Sequence, residues 1–182
     1  TAAFVLCGRH GTDGFVALAL ATAAALVVDV AAGARLIKNS VLGYDPIVAA
    51  RFYGIGNEYM GVLIGTTLIG TTGLLDRWAR RNDVRRLRWK VLAAALYAAV
   101  VAVLAAPSLG ANVGGTIAAV VGLGTTLLLL ADKQLSWKTL LTLFVGVALV
   151  VALAALADVT LHREQPSHLG RALLAFADQG WS

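Results

Sequence analysis

The chain has 182 residues, 59% of them hydrophobic and 14% charged, with a formal net charge of +5 and a mean hydropathy of +0.79. Soluble domains carry about 25% charged residues, so this composition excludes an ordinary soluble enzyme and places the chain in the membrane class. Nor does the positive charge point to nucleic acid. Seven of the fifteen cations lie in DRWARRNDVRRLRWK, residues 76–90, between two apolar runs, and a basic connection between spans is the positive-inside signal.

Five spans are predicted in chain order. The first covers 14–37 and holds Asp29 in its interior. A carboxylate is expensive in lipid and should face the bundle interior, either as a functional, substrate-binding group or as a helix-packing hydrogen-bond acceptor. In GYDP, Asp45 suits an N-cap and Pro46 the first helical position. IVAARFY then reads as a short helix broken by the glycines of GIG, 54–56. The second span, 57–75, starts with Asn57 as N-cap and Glu58 in its first turn. The third, 91–106, is stopped by Pro107, and its 16 residues fall short of the ~20 that a hydrocarbon core needs. The fourth, 112–131, is capped by Asn112, and the fifth runs over 139–157. The apolar runs neither alternate nor break at strand length, so the expected fold is an all-α, polytopic transmembrane bundle with a broken helix at its outer rim. Residues 1–182 read as a single integral-membrane domain, part of a larger membrane protein or assembly. Cys7 is the single cysteine, so an intrachain disulfide is excluded.

With the basic segment 76–90 taken as a cytoplasmic loop, Lys133 and Lys138 fall on the same side. Segments 38–56, 107–111 and 158–182 then become extracytoplasmic, in a multi-pass protein of a bacterial inner membrane. This sorting gathers the polar segments on one face. The N-termini of the second and fourth spans meet there, each with unpaired N–H groups and about half a positive charge. With Arg51 nearby, such ends suit a phosphate or pyrophosphate. Asp45, Tyr53, Asn57, Asn112 and Asp29 are the candidate substrate-binding residues. The rival reading makes Asn57 and Asn112 ordinary caps and pairs Arg51 with Glu58. The tail adds Asp158, His162, Glu164, His168 and Arg171. His168 suits a general base and Arg171 an anion clamp. Asp158 and His162, four apart, with Glu164 form a weak metal-ligand pattern that lacks the HExxH spacing. No P-loop, GxSxG or CxxC motif occurs, and no cofactor is expected.

Two resemblances follow from these residues. GYDP, ARFYGIGNEYMG, LGANVGG and SHLGR together resemble a set found in uncharacterised bacterial polytopic membrane proteins, covering most of the chain from residue 38. Arg51, Gly54 and Asn57, followed later by His168, Leu173, Asp178 and Gly180, also resemble segments of the O-antigen ligase and polymerase superfamily. That second likeness implies transfer of a glycan from a polyprenyl-diphosphate carrier without a metal. Arg51 and Arg171 would hold the diphosphate, and His168 or Glu58 would activate the acceptor hydroxyl, making these four the candidate catalytic residues. The chain departs from that superfamily in reading Asn57-Glu58-Tyr59 where the superfamily has Asn-Pro-Asn. It also lacks a large periplasmic loop and has few spans. A transporter for an anion or lipid, and a small structural subunit packed against other membrane proteins, are the alternative functions. Membrane lipids are the expected partners in every case.

Overall fold

A computed structural model describes residues 11–43, 54–79, 83–131, 136–161 and 174. Among the described residues all regular structure is helical: α1 (Gly11–Ala31), α2 (Arg35–Lys38), α3 (Asn57–Ala79), α4 (Asp83–Ala105), α5 (Val113–Leu130) and α6 (Trp137–Leu161). A helix satisfies its backbone hydrogen bonds internally, which is why uninterrupted apolar sequence takes this form in lipid. Four helices, α1, α4, α5 and α6, are long and apolar enough to cross a membrane. The fold is an all-α bundle of membrane-spanning helices.

The remaining long helix, α3, corresponds to the expected second span. Its 23 residues extend about 34 Å at 1.5 Å per residue, long enough to span. Threonine and glycine interrupt its apolar stretch. Its position explains the composition: α3 is the central helix, packed on α1, α4 and α5. Small residues let helix backbones approach closely where lipid does not reach. Gly70 and Gly73 admit Leu20 and Val16 of α1. The hydroxyls of Thr66, Thr71 and Thr72 donate to the carbonyls of Val62, Thr67 and Leu68 at 2.7, 2.6 and 2.6 Å. The Thr71 hydroxyl also meets the Tyr97 hydroxyl of α4 at 2.6 Å, tying the two helices together deep in the bundle.

These contacts fix the order of helix directions. Late α3 lies on early α1, so the two are antiparallel. Gly115 at the start of α5 faces Met60 at the start of α3, so those two are parallel, while Gly124 faces Leu143 of α6. One end of the bundle therefore gathers the end of α1, the start of α3, the end of α4, the start of α5 and the end of α6. At the periphery, α6 packs mainly on α5 and leaves Phe144, Leu149, Leu153 and Leu156 exposed, as a lipid-facing helix should.

Three sequence expectations are corrected. The described part of segment 76–90 is helical, not a loop: α3 continues to Ala79 and α4 begins at Asp83. Arginine, lysine and leucine are good helix formers, so the helices extend past the apolar stretch into the polar layer. This extension also removes the shortfall in the third span, because α4 has 23 residues ending at Ala105. The first span does not run unbroken from 14 to 37. It stops at Ala31, where Gly33 (φ +94°) and Ala34 (φ +57°) turn left-handed. Ala34 N–H donates to Asp29 O at 2.7 Å and Gly33 N–H to Val30 O at 3.1 Å, the paired bonds of a Schellman cap with glycine at its left-handed position. The fourth and fifth spans form close to their expected limits. Ser136 caps α6, accepting from Leu140 N–H through its carbonyl and from Thr139 N–H through its hydroxyl.

Candidate functional site at one end of the bundle

The gathered end is held by two adjacent turns, 54–57 and 106–112. After α4, the chain folds back on its own last carbonyls: Gly110 N–H donates to Val103 O at 2.8 Å and Asn112 N–H to Leu104 O at 2.9 Å. This presents the Gly110 carbonyl to Ile55, whose N–H donates to it at 2.9 Å. Gly54 enters the turn with φ +80°, a backbone region glycine occupies without a steric penalty. Ile55 itself is fully buried in the core.

Asn112, only 2% exposed, joins the 54–57 turn to the start of α5. Its Oδ1 accepts from Gly115 N–H at 2.7 Å, capping α5 as expected. Its Nδ2 donates to Ile55 O at 3.0 Å and to Asn57 Oδ1 at 3.3 Å. Its backbone carbonyl accepts from the Thr116 hydroxyl at 2.8 Å. One side chain thus couples the N-termini of α3 and α5. The role expected for Asn57 shifts by one residue. Met60 N–H donates to Gly56 O at 2.9 Å, so Gly56 holds the capping position and Asn57 stands in the first turn. Asn57 and Glu58 are both exposed there, and an acidic first-turn residue complements the positive helix end. Tyr59 ties the same turn to the segment after α1, its hydroxyl donating to Ser40 Oγ at 2.7 Å.

Asp29 is not in the middle of a span but in the last turn of α1, 7% exposed. Its Oδ1 accepts from Leu36 N–H at 3.0 Å and its Oδ2 from Ile37 N–H at 2.9 Å. A carboxylate at a helix C-terminus is disfavoured by the dipole, and the N–H groups of α2 offset that cost. Substituting Asp29→Ala leaves both N–H groups without this acceptor. It is expected to destabilise the protein by about 2 kcal/mol, since a hydrogen bond to a charged group contributes about 1.5–3 kcal/mol and water at the rim replaces part of the loss. Thermal unfolding in detergent checks this, with Asp29→Asn expected to recover part of the stability through its one acceptor oxygen.

Asp158 was expected to open the tail; instead it lies in the last turn of α6, 1% exposed. Arg51, Tyr53, Asp45, His162, Glu164, His168 and Arg171 lie outside the described residues. No group of three or more metal-ligating side chains occurs among the described residues. The structure therefore brings Asn57, Glu58, Tyr59 and Asn112 to one rim, with Asp29 and Asp158 at the same end of their helices. Sequence reasoning missed Ser40 and the Asp29–α2 bonds; Gly33 before Arg35 was the available signal for a helix stop. No protein-family model, curated protein or solved structure matches the chain. The functional reading accordingly rests on this rim.

Proposed function

We propose that the protein binds a phosphate-bearing, lipid-linked substrate at this rim, in a cell-envelope transfer or ligation reaction at the extracytoplasmic face of a bacterial inner membrane. The observation that carries the reading is the junction of two helix N-termini, α3 and α5, through Asn112 and Ile55. Two such ends side by side concentrate positive potential at the edge of a low-dielectric bundle. Arg51, three residues before Gly54 in sequence, and Arg171 would supply full charges for a diphosphate. Glu58, exposed in the first turn of α3, or His168 would take the proton of an acceptor hydroxyl. In this reading Asn112 and Asp29 shape the site and do not touch substrate, because their polar atoms already serve the backbone. That assignment also weighs against transport past Asp29.

The test uses the protein in lipid nanodiscs. Binding of a polyprenyl diphosphate is expected to weaken at least ten-fold in Arg51→Ala, and transfer to be lost in His168→Ala, with both variants folded. Unchanged binding in the first and unchanged transfer in the second would sink the proposal. The structural-subunit reading draws on a different observation, the internal hydrogen bonding of the Asn112 cluster. It predicts no diphosphate binding by the wild-type protein and co-purification of a stoichiometric membrane partner.

A further inference from the structure

The segment after α1 turns two unlike faces outward and inward. Ala34 and Ile37 are buried in the core cluster together with Ile55. Leu36, by contrast, is 77% exposed, Leu42 55%, and Val41 fully exposed. Arg35 is exposed beside them. The Lys38 ammonium donates to Gly33 O at 3.1 Å, which uses one of its three donors.

This arrangement is built, not the accident of a loose loop. The Schellman cap fixes the exit from α1, the Asp29 carboxylate holds Leu36 and Ile37, and Ser40 N–H donates to Ile37 O at 3.3 Å. Gly43 N–H closes onto Ser40 O at 2.9 Å, and Tyr59 grips the Ser40 hydroxyl from α3. With the backbone held by these bonds and Ile37 packed inward, Leu36, Val41 and Leu42 are left exposed. In water, three such side chains held out together would be costly.

Their depth identifies the occupant. The 21 residues of α1 extend about 31 Å, close to the ~30 Å of a hydrocarbon core. Residues 35–42 follow directly and so stand where acyl chains give way to headgroups. Apolar side chains at that level enter the outer acyl layer, while lysine and arginine reach the phosphates. We infer that residues 35–42 form an interfacial anchor: Leu36, Val41 and Leu42 enter the bilayer boundary, and Arg35 and Lys38 meet lipid phosphates with a preference for anionic lipid. The anchor stands independently of the substrate reading above, and it would hold the rim at headgroup level.

A fluorophore sensitive to polarity, attached at Val41→Cys on a Cys7→Ser background, tests this in nanodiscs containing one protein each. Val41 makes no buried contact, so the label leaves the packing intact; Leu42→Cys provides a second labelled position. A blue-shifted emission is expected, quenched more by a nitroxide at carbon 5 of the lipid chain than at carbon 12. Nitroxide-labelled phosphatidylglycerol should quench several-fold more than labelled phosphatidylcholine, and Arg35→Gln/Lys38→Gln should bring the two towards equality. Water-like emission without lipid quenching at both positions overturns the anchor. A probe shielded from water and lipid alike places protein on this face instead, and also overturns it. Equal quenching by the two lipids in the unsubstituted background removes the anionic preference.

Discussion

Asn112→Ala is expected to destabilise the bundle by about 3 kcal/mol. Loss of an N-cap costs ~1 kcal/mol, and a buried group left unsatisfied costs ~1–3 kcal/mol. Here Gly115 N–H loses its acceptor and the carbonyl of Ile55, a fully buried residue, loses its donor. The informative comparison is Asn112→Asp. It retains an acceptor for Gly115 N–H but replaces the donor with a carboxylate facing Ile55 O and Asn57 Oδ1, two acceptors. Aspartate is therefore expected to rescue little, although it is among the best N-caps on an isolated helix. Unfolding in mixed micelles, followed by the loss of helical signal, gives the ranking. An aspartate variant as stable as the parent would show that the cap alone matters and that the link to the 54–57 turn contributes little.

The second large effect is steric. A Cβ at Gly54 would collide with the Gly110 carbonyl, 2.9 Å from its carbon, on a backbone already at φ +80°. A left-handed conformation costs a non-glycine residue ~1–2 kcal/mol, and the collision is with main chain, which has no rotamer to yield. Gly54→Ala should therefore lose about 3 kcal/mol or more and break the Ile55–Gly110 bond. A Cβ at Gly110 meets main chain as well, at Val103 O and at Leu104 Cα, the latter 2.8 Å away. Because both substitutions part the same pair of turns, the double variant is expected to fall well short of the sum of the single losses. Additive losses in a double-mutant cycle would mean that the turns do not act as one unit. Gly61, with open space around its Cβ position, is the control: Gly61→Ala should be neutral or slightly stabilising.

Much of the architecture was readable from the residues because lipid imposes a simple rule. A span needs a long apolar run, and Asn112, Pro107 and the glycines of GIG mark where such runs start and stop. The misplacements have particular causes. Segment 76–90 reads as a loop by hydropathy, yet charged residues with good helix propensity continue a helix once it leaves the membrane. Residues 14–37 read as one span because Ala-Ala-Gly-Ala carries no polar break. The stop at Ala31 comes from Gly33 adopting φ +94°, which hydropathy does not register. At the candidate site, Asn112 as a helix cap was legible because the cap is a local contact, three residues in sequence from Gly115. Its bonds to Ile55 and Asn57 span 57 and 55 positions and leave no periodic trace.

Local chemistry along the chain is enough to set the class of molecule: an all-helical membrane bundle, with its basic residues concentrated at one end of the helices and its polar turns at the other. That follows from transfer free energies and backbone hydrogen bonding, which act on each segment alone. Helix packing sets which helix is central and what the polar residues do. α3 places Gly70, Gly73 and Thr71 where α1 and α4 pack against it. Asp29 caps α2, and Asn112 couples two helix ends, because bonds between distant turns depend on packing rather than on local pattern. The same packing leaves Leu36, Val41 and Leu42 turned outward at the rim.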